Sequence, residues 1–266
     1  MTRSSIRTAL LSILFVVAAS CSGDASENGS PTGSATGATA PGPTTATGST
    51  AEGPTGATAA APLVSGPLEP GTYTFDGSGE PLTLTVGEGW EALIGEGQAN
   101  ETPLGSFFAL FNAEHPAANL AFVHPTRVVD PLKDWDEEGN VVPLPDDLIA
   151  WMHDHPMHDS QEPFDTTVGG LPARAVDIVV AEVPKNGWPS CGGQCVLWFP
   201  LSVDQEDGPL TEDDLVFGGA NKEHDRQIVV EVGGETLVAD IGAINAKSFE
   251  AFLPLAEEVL ATVQFG

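Results

Sequence analysis

Apolar and polar positions change pattern three times along the chain. An uncharged apolar run occupies 9–19, a long stretch of small and polar residues follows, and regular alternation begins near residue 70. Segments 72–75 and 81–86 (PLTLTV) alternate as half-buried strands do, and Asp76-Gly77-Ser78-Gly79 between them is turn chemistry. Apolar runs at 106–111 and 119–124, and β-branched stretches at 166–168, 173–183 and 195–201, predict further strands. Segments 227–232 and 235–241 flank Gly233-Gly234, a two-residue hairpin signal. Helical spacing appears twice. DDLIAWM at 146–152 follows Pro145, carries acids in its first turn and is stopped near His155 by Pro156. Phe249, Phe252, Leu253, Ala256, Val259 and Leu260 repeat at helical period behind Ser248, the expected N-cap, with Pro254 bending the helix slightly. A short strand at 262–265 closes the chain. The sum predicts an α+β domain, an antiparallel sheet covered by helices near 146–155 and 248–261.

The apolar run at 9–19 follows Arg3 and Arg7 and leads through Ala18-Ala19-Ser20 to Cys21. A charged start, a short apolar middle and a small-residue exit make a secretory signal over 1–20, too short for a bilayer span. Cys21 directly after the small residues matches a lipobox, with Ala18 where Leu is usual. The expectation is a lipidated Cys21 on the outer face of the cell membrane. Residues 21–66 then form a disordered tether of Gly, Ser, Thr, Ala and Pro, which bury too little apolar surface to offset chain entropy. Residues 67–266 remain for a single domain.

The formal net charge is −29, and removal of Arg3 and Arg7 with the leader takes it to −31. Such a surface repels phosphate backbones and anionic lipid heads, which excludes nucleic acid as a partner and leaves membrane attachment to the acyl chains. With Cys21 assigned to the anchor, Cys191 and Cys195 in WPSCGGQC remain as a pair in an oxidising compartment, where a disulfide is expected rather than a thiolate metal pair.

Three histidines crowd MHDHPMHD. His153, His155 and His158, with Asp154 and Asp159, have the chemistry to hold zinc, copper or nickel, and Met152 and Met157 add soft ligands. On a helix His153 and His155 face different sides, so the competing reading is a solvated helix end, and no metal is expected there. Asp134 to Asn140 (DWDEEGN) resembles the opening of a calcium loop, but its twelfth position is Pro145 instead of a bidentate Glu. GEGWEA at 87–92 is a superficial dinucleotide fingerprint, better read as a turn that delivers Trp90 to the core. Glu223-His224 and Asp225-Arg226, just before a strand, read as surface charges. The sequence holds no G-x-S-x-G, H-E-x-x-H or C-x-x-C.

Several phrases, in order, resemble a set of uncharacterised actinobacterial lipoproteins: LEPGTYTF, LTLTVGEGW, DDLIAWMHDHP, TTVGGLPARAVDIVV, the Cys-Gly-Gly segment before Trp198, and FLPLAEEVLATVQF. The plan is more distantly similar to PsbP-like α/β/α sandwiches, the fold of LpqN-type lipoproteins. That resemblance implies no catalytic residues. It implies a cysteine just before the Trp matching Trp135; here Leu132-Lys133-Asp134 stand there, which makes Cys195 a local substitute. The functional expectation is a non-enzymatic, lipid-anchored, extracytoplasmic binding or accessory module. It needs no cofactor and serves a protein or small-molecule partner. The alternative is an envelope metal-binding protein or hydrolase using His153, His155 and His158.

Overall fold

The computed structural model describes residues 60–266, apart from 78, 79, 96–101, 104, 182, 184–187, 204–208 and 213. The leader, Cys21 and most of the tether lie outside the described residues. Among the described residues strands dominate, in four sheets. The largest runs, in spatial order, through His158–Ser160 (β11), Leu171–Val180 (β13), His224–Val232 (β16), Glu235–Ala243 (β17), Ala118–Pro125 (β8), Gly105–Asn112 (β7), Trp90–Gly95 (β5) and Gly66–Leu68 (β2). Phe164–Val168 (β12) also pairs with β13, and every pairing in this sheet is antiparallel. Ala61–Pro62 (β1), Gly71–Phe75 (β3), Leu82–Val86 (β4) and Gln264–Phe265 (β18) make a second sheet. Thr102–Pro103 (β6), Cys195–Val203 (β14) and Leu215–Ala220 (β15) make a third, and Arg127–Val129 (β9) pairs with Val141–Pro143 (β10).

This corrects the expected helix-covered sandwich. Among the described residues there are two α-helices, Leu148–His153 (α1) and Ala246–Leu260 (α2), and much of the cover on each face of the large sheet is a second sheet. On one face, α2 and β4 bury Leu82, Leu84, Trp90, Phe108, Phe122 and Phe252 in one core. On the other, α1, β14 and β15 bury Met152, Trp198, Phe199, Phe107, Val176 and Val238 in another. With both faces covered, neighbouring residues of one strand feed opposite cores. In β17, Leu237, Ala239 and Ile241 enter the first core and Val238 the second.

Local chemistry explains the elements. Asp147 caps α1 by accepting the Ala150 N–H at 2.9 Å. Asn245, not the expected Ser248, caps α2; its side chain accepts the Ser248 N–H at 3.0 Å. Gly233 and Gly234 turn β16 into β17 with φ of 61° and 90°, the paired positive angles of a type I′ hairpin. Gly89 turns the chain before Trp90, which is buried against Phe252 with ring centroids 5.9 Å apart.

Candidate functional site

The His segment is not a solvated helix end. α1 stops at His153, the chain turns through Pro156, and β11 starts at His158. His153 stays outside, its Nδ1 2.8 Å from the Asp154 carboxylate. His155 and His158 turn inward and stack, with centroids 4.2 Å apart and planes at 23°. Trp151 meets His155 edge-on, and Trp198 meets His158 the same way. His158 has both nitrogens engaged. Its Nδ1 lies 2.9 Å from the Met152 carbonyl, and its Nε2 accepts the Trp198 Nε1–H at 3.0 Å. That fixes the tautomer with the proton on Nδ1. His155 Nδ1 accepts the Met157 N–H at 3.3 Å, and its buried Nε2 has no protein partner.

Burial lowers both rings, His155 to about 3 with added repulsion from His158, and His158 to about 4. Both are therefore neutral near pH 7. A metal at His158 would have to break the Trp198 or the Met152 contact. His155 opens on a cavity of about 30 Å³ beside Trp135 and Trp188, room for one water. Among the described residues no group of three His, Cys, Asp or Glu is arranged to hold a metal ion.

Two further sequence features resolve nearby. Cys191 and Cys195 stand at disulfide distance across the Gly192-Gly193 turn, Cα atoms 6.2 Å apart. In the calcium-like loop an ammonium binds two of the backbone carbonyls. Lys133 Nζ donates to the Glu138 carbonyl at 3.0 Å and the Gly139 carbonyl at 3.1 Å.

A larger concavity lies elsewhere, at the N-terminal end of α1, where it meets β12, β13 and the β16–β17 hairpin. It encloses about 620 Å³. Its floor is apolar, formed by Leu148, Ile149, Ala173 and Val229. Its walls carry Asp146, Asp147, Asp165 and Glu231 against a lone guanidinium, Arg174. Asp147 holds two structures together. It caps α1 and it accepts Arg174 Nη1 at 3.0 and 3.2 Å. The Ala150 N–H first, and then Arg174, hold its carboxyl below the usual range. Thr236 donates to Glu231 at 2.9 Å across the hairpin. Arg174 is thus occupied, and the other three carboxylates give the cleft a surplus of negative charge. A cationic group whose stem is apolar matches both floor and walls. Sequence reasoning reached only Asp146 and Asp147, and read them as helix-start acids. Asp165, Arg174 and Glu231 come from separate strands and carry no local signal.

No protein-family model matches the chain, and no curated protein matches it either. Similar solved structures are distant. The solution structure of cyanobacterial PsbP (CyanoP) from Synechocystis sp. PCC 6803 is 11% identical with a TM-score of 0.37, over 80% of this chain and 100% of that one. LpqN, involved in cell envelope biogenesis of Mycobacterium tuberculosis, is 11% identical with a TM-score of 0.29, over 73% of this chain and 90% of that one. The immunity protein TplEi of Pseudomonas aeruginosa is 10% identical with a TM-score of 0.29, over 70% of this chain and 67% of that one.

Proposed function

We propose that this chain is a lipid-anchored, extracytoplasmic binding module. It is held to the membrane through Cys21 and presents the α1 cleft to cationic groups, the lysine or arginine side chains of a partner protein. The observation that carries the reading is the cleft itself. A volume of about 620 Å³ falls within the range of binding sites, and four carboxylates face one guanidinium already paired to Asp147. No helix among the described residues is long and apolar enough to cross a membrane, so the anchor is assigned to the acyl chains on Cys21. The metal or hydrolase alternative gains no support from the stacked, hydrogen-bonded pair of His155 and His158.

Calorimetric titration of the full chain with a tetralysine peptide tests the cleft. Asp165→Asn with Glu231→Gln should weaken binding about tenfold, the equivalent of about 1.4 kcal/mol. Glu114→Gln with Asp136→Asn changes the net charge equally on exposed positions away from the cleft and should leave binding close to the parent. Equal losses in the two double variants would mean that the general acidity of the surface, and not the cleft, attracts the peptide.

A further inference from the structure

A second acidic feature lies between the large sheet and the β14–β15 layer. On the second-core face of the large sheet, Asp225 pairs in register with Gly242, and Gln227 with Asp240. These four positions form a square whose fourth corner, Gly242, has no side chain. Three carboxylates from three residues lean over that corner. Measured from the point where a Cβ on Gly242 would sit, Asp225 Oδ1 is 2.8 Å away, Glu223 Oε1 3.2 Å and Asp240 Oδ2 3.3 Å.

The arrangement places negative charge where a fold does not ordinarily tolerate it. Asp225 and Asp240 are each 2% exposed, and Gln227 is fully buried. The nearby guanidinium does not compensate. Arg226 is on the opposite face of β16, bound to Asp177 at 2.6 Å and to Glu257 on α2 at 2.8 Å. Hydrogen bonding accounts for only part of the cluster. Glu223 Oε2 accepts the Ala220 N–H, and Asp240 Oδ1 accepts a bond from Gln227 Nε2. Asp225 Oδ2 and Gln227 Oε1, both buried, have no partner in the protein. Gln227 is an independent witness, because it is a neutral amide. Its bond to Asp240 puts its head at the cluster, yet its carbonyl oxygen is left unused. Burial and mutual repulsion push Asp225 and Asp240 well above the usual carboxylate range. A group neutralising all three would relieve that cost.

We propose that the Gly242 corner is a binding site for a hard divalent cation of the calcium type, held by Glu223, Asp225 and Asp240 with the Gln227 carbonyl oxygen as a fourth donor. All four donors are oxygens, the set preferred by calcium and magnesium over zinc or copper. No described trio is already closed to coordinating geometry, so binding draws the carboxylates inward from their open ring. That adjustment favours calcium, whose oxygen contacts of about 2.3–2.6 Å tolerate irregular shells, over magnesium, which demands a tight octahedron. Glu223 stands just before β16 and closes the third side of the corner. Gly242 is then needed for its missing side chain, because a methyl there would occupy the space between the carboxylates.

The test uses the full chain, purified in detergent, stripped with a chelator and melted with and without calcium chloride. The parent should melt about 5 °C or more higher when calcium stands near a hundred times its dissociation constant. Asp240→Asn and Gly242→Ala should each abolish the rise. In chelator, Asp240→Asn should melt above the parent, because it removes one buried ionisable group from a cluster of three. Asp165→Asn with Glu231→Gln, which alters the cleft and not this corner, should keep the full rise. If Asp240→Asn fails to fold, Gly242→Ala and terbium luminescence on the parent decide the matter. No rise in the parent, or an equal rise in the corner variants, would overturn the site and leave shared protons as what neutralises the cluster.

Discussion

The stacked pair of His155 and His158 should make the fold acid-sensitive well above the range where ordinary carboxylates titrate. Both rings are neutral in the native state, lowered from 6.5 to about 3 and about 4 by burial. In the unfolded chain both regain a value near 6.5. The sign follows from proton counting. Between the folded and unfolded values the unfolded chain binds more protons, so stability from these rings is fully present above pH 6.5. It is lost as the pH falls toward 4. Each unit below 6.5 costs about 1.4 kcal/mol per ring, so pH 5 removes about 2 kcal/mol for each and about 4 kcal/mol for the pair. That is a large share of the stability of a typical domain.

Other groups titrate in the same window, so the quantity to measure is a difference. Urea unfolding at pH 7 and pH 5 on the parent and on His155→Phe should show the parent losing about 2 kcal/mol more across the interval than the variant. Proton NMR supplies a direct check. The ring signals of His155 and His158 should stay at neutral-imidazole positions at pH 5, where free imidazole is protonated. Equal pH dependence in parent and variant, or a His155 signal that titrates near 6.5, would show that the ring is solvated and that the stacked pair does not form.

Two further outcomes test the core and the anchor. Phe252 is fully buried between α2 and the large sheet, so Phe252→Ala should cost about 3–5 kcal/mol in denaturant unfolding, and a loss under about 1 kcal/mol would show that the α2 face is misplaced. Cys21→Ala should move the protein from the membrane fraction to the medium, since two acyl chains hold stably where one is marginal; a variant still in the membrane fraction refutes the lipid anchor.

Many strands are legible in the sequence, from alternation in β4, from an apolar run in β8 and from the Gly233-Gly234 turn that joins β16 to β17. The layer that covers the second face of the large sheet is legible only in part: the run predicted at 195–201 is β14, and β15 has no counterpart among the predicted strands. LVFGG at 215–219 has a glycine pair where a strand usually carries β-branched residues, and no strand is predicted there. The structure shows why those glycines are required. A Cβ on Gly218 would come within 2.1 Å of the Val196 carbonyl, and one on Gly219 within 2.7 Å of the Trp198 ring. The pair lets β15 approach β14 and the Trp198 indole closely. Proximity between strands separated by a chain reversal leaves no periodic trace, so helices were expected to provide cover that a second sheet provides.

That one missing strand accounts for the other misreadings at the site. Without β15, the strand at 195–201 is not recognised as part of a covering sheet, and polar residues on the second face look solvated. His158 then reads as an exposed ring beside Asp159, although strand alternation sends Asp159 outward and His158 toward Trp198. Asp225 reads as a surface charge before a strand, although it alternates onto the covered face with Gln227. Charge on a strand is ambiguous until the layer above it is known, and the same residues become buried once that layer exists. Gly242 carries the residual signal. A glycine with no turn to make, in a strand of otherwise larger residues and in register with Asp225, marks space that the fold keeps open.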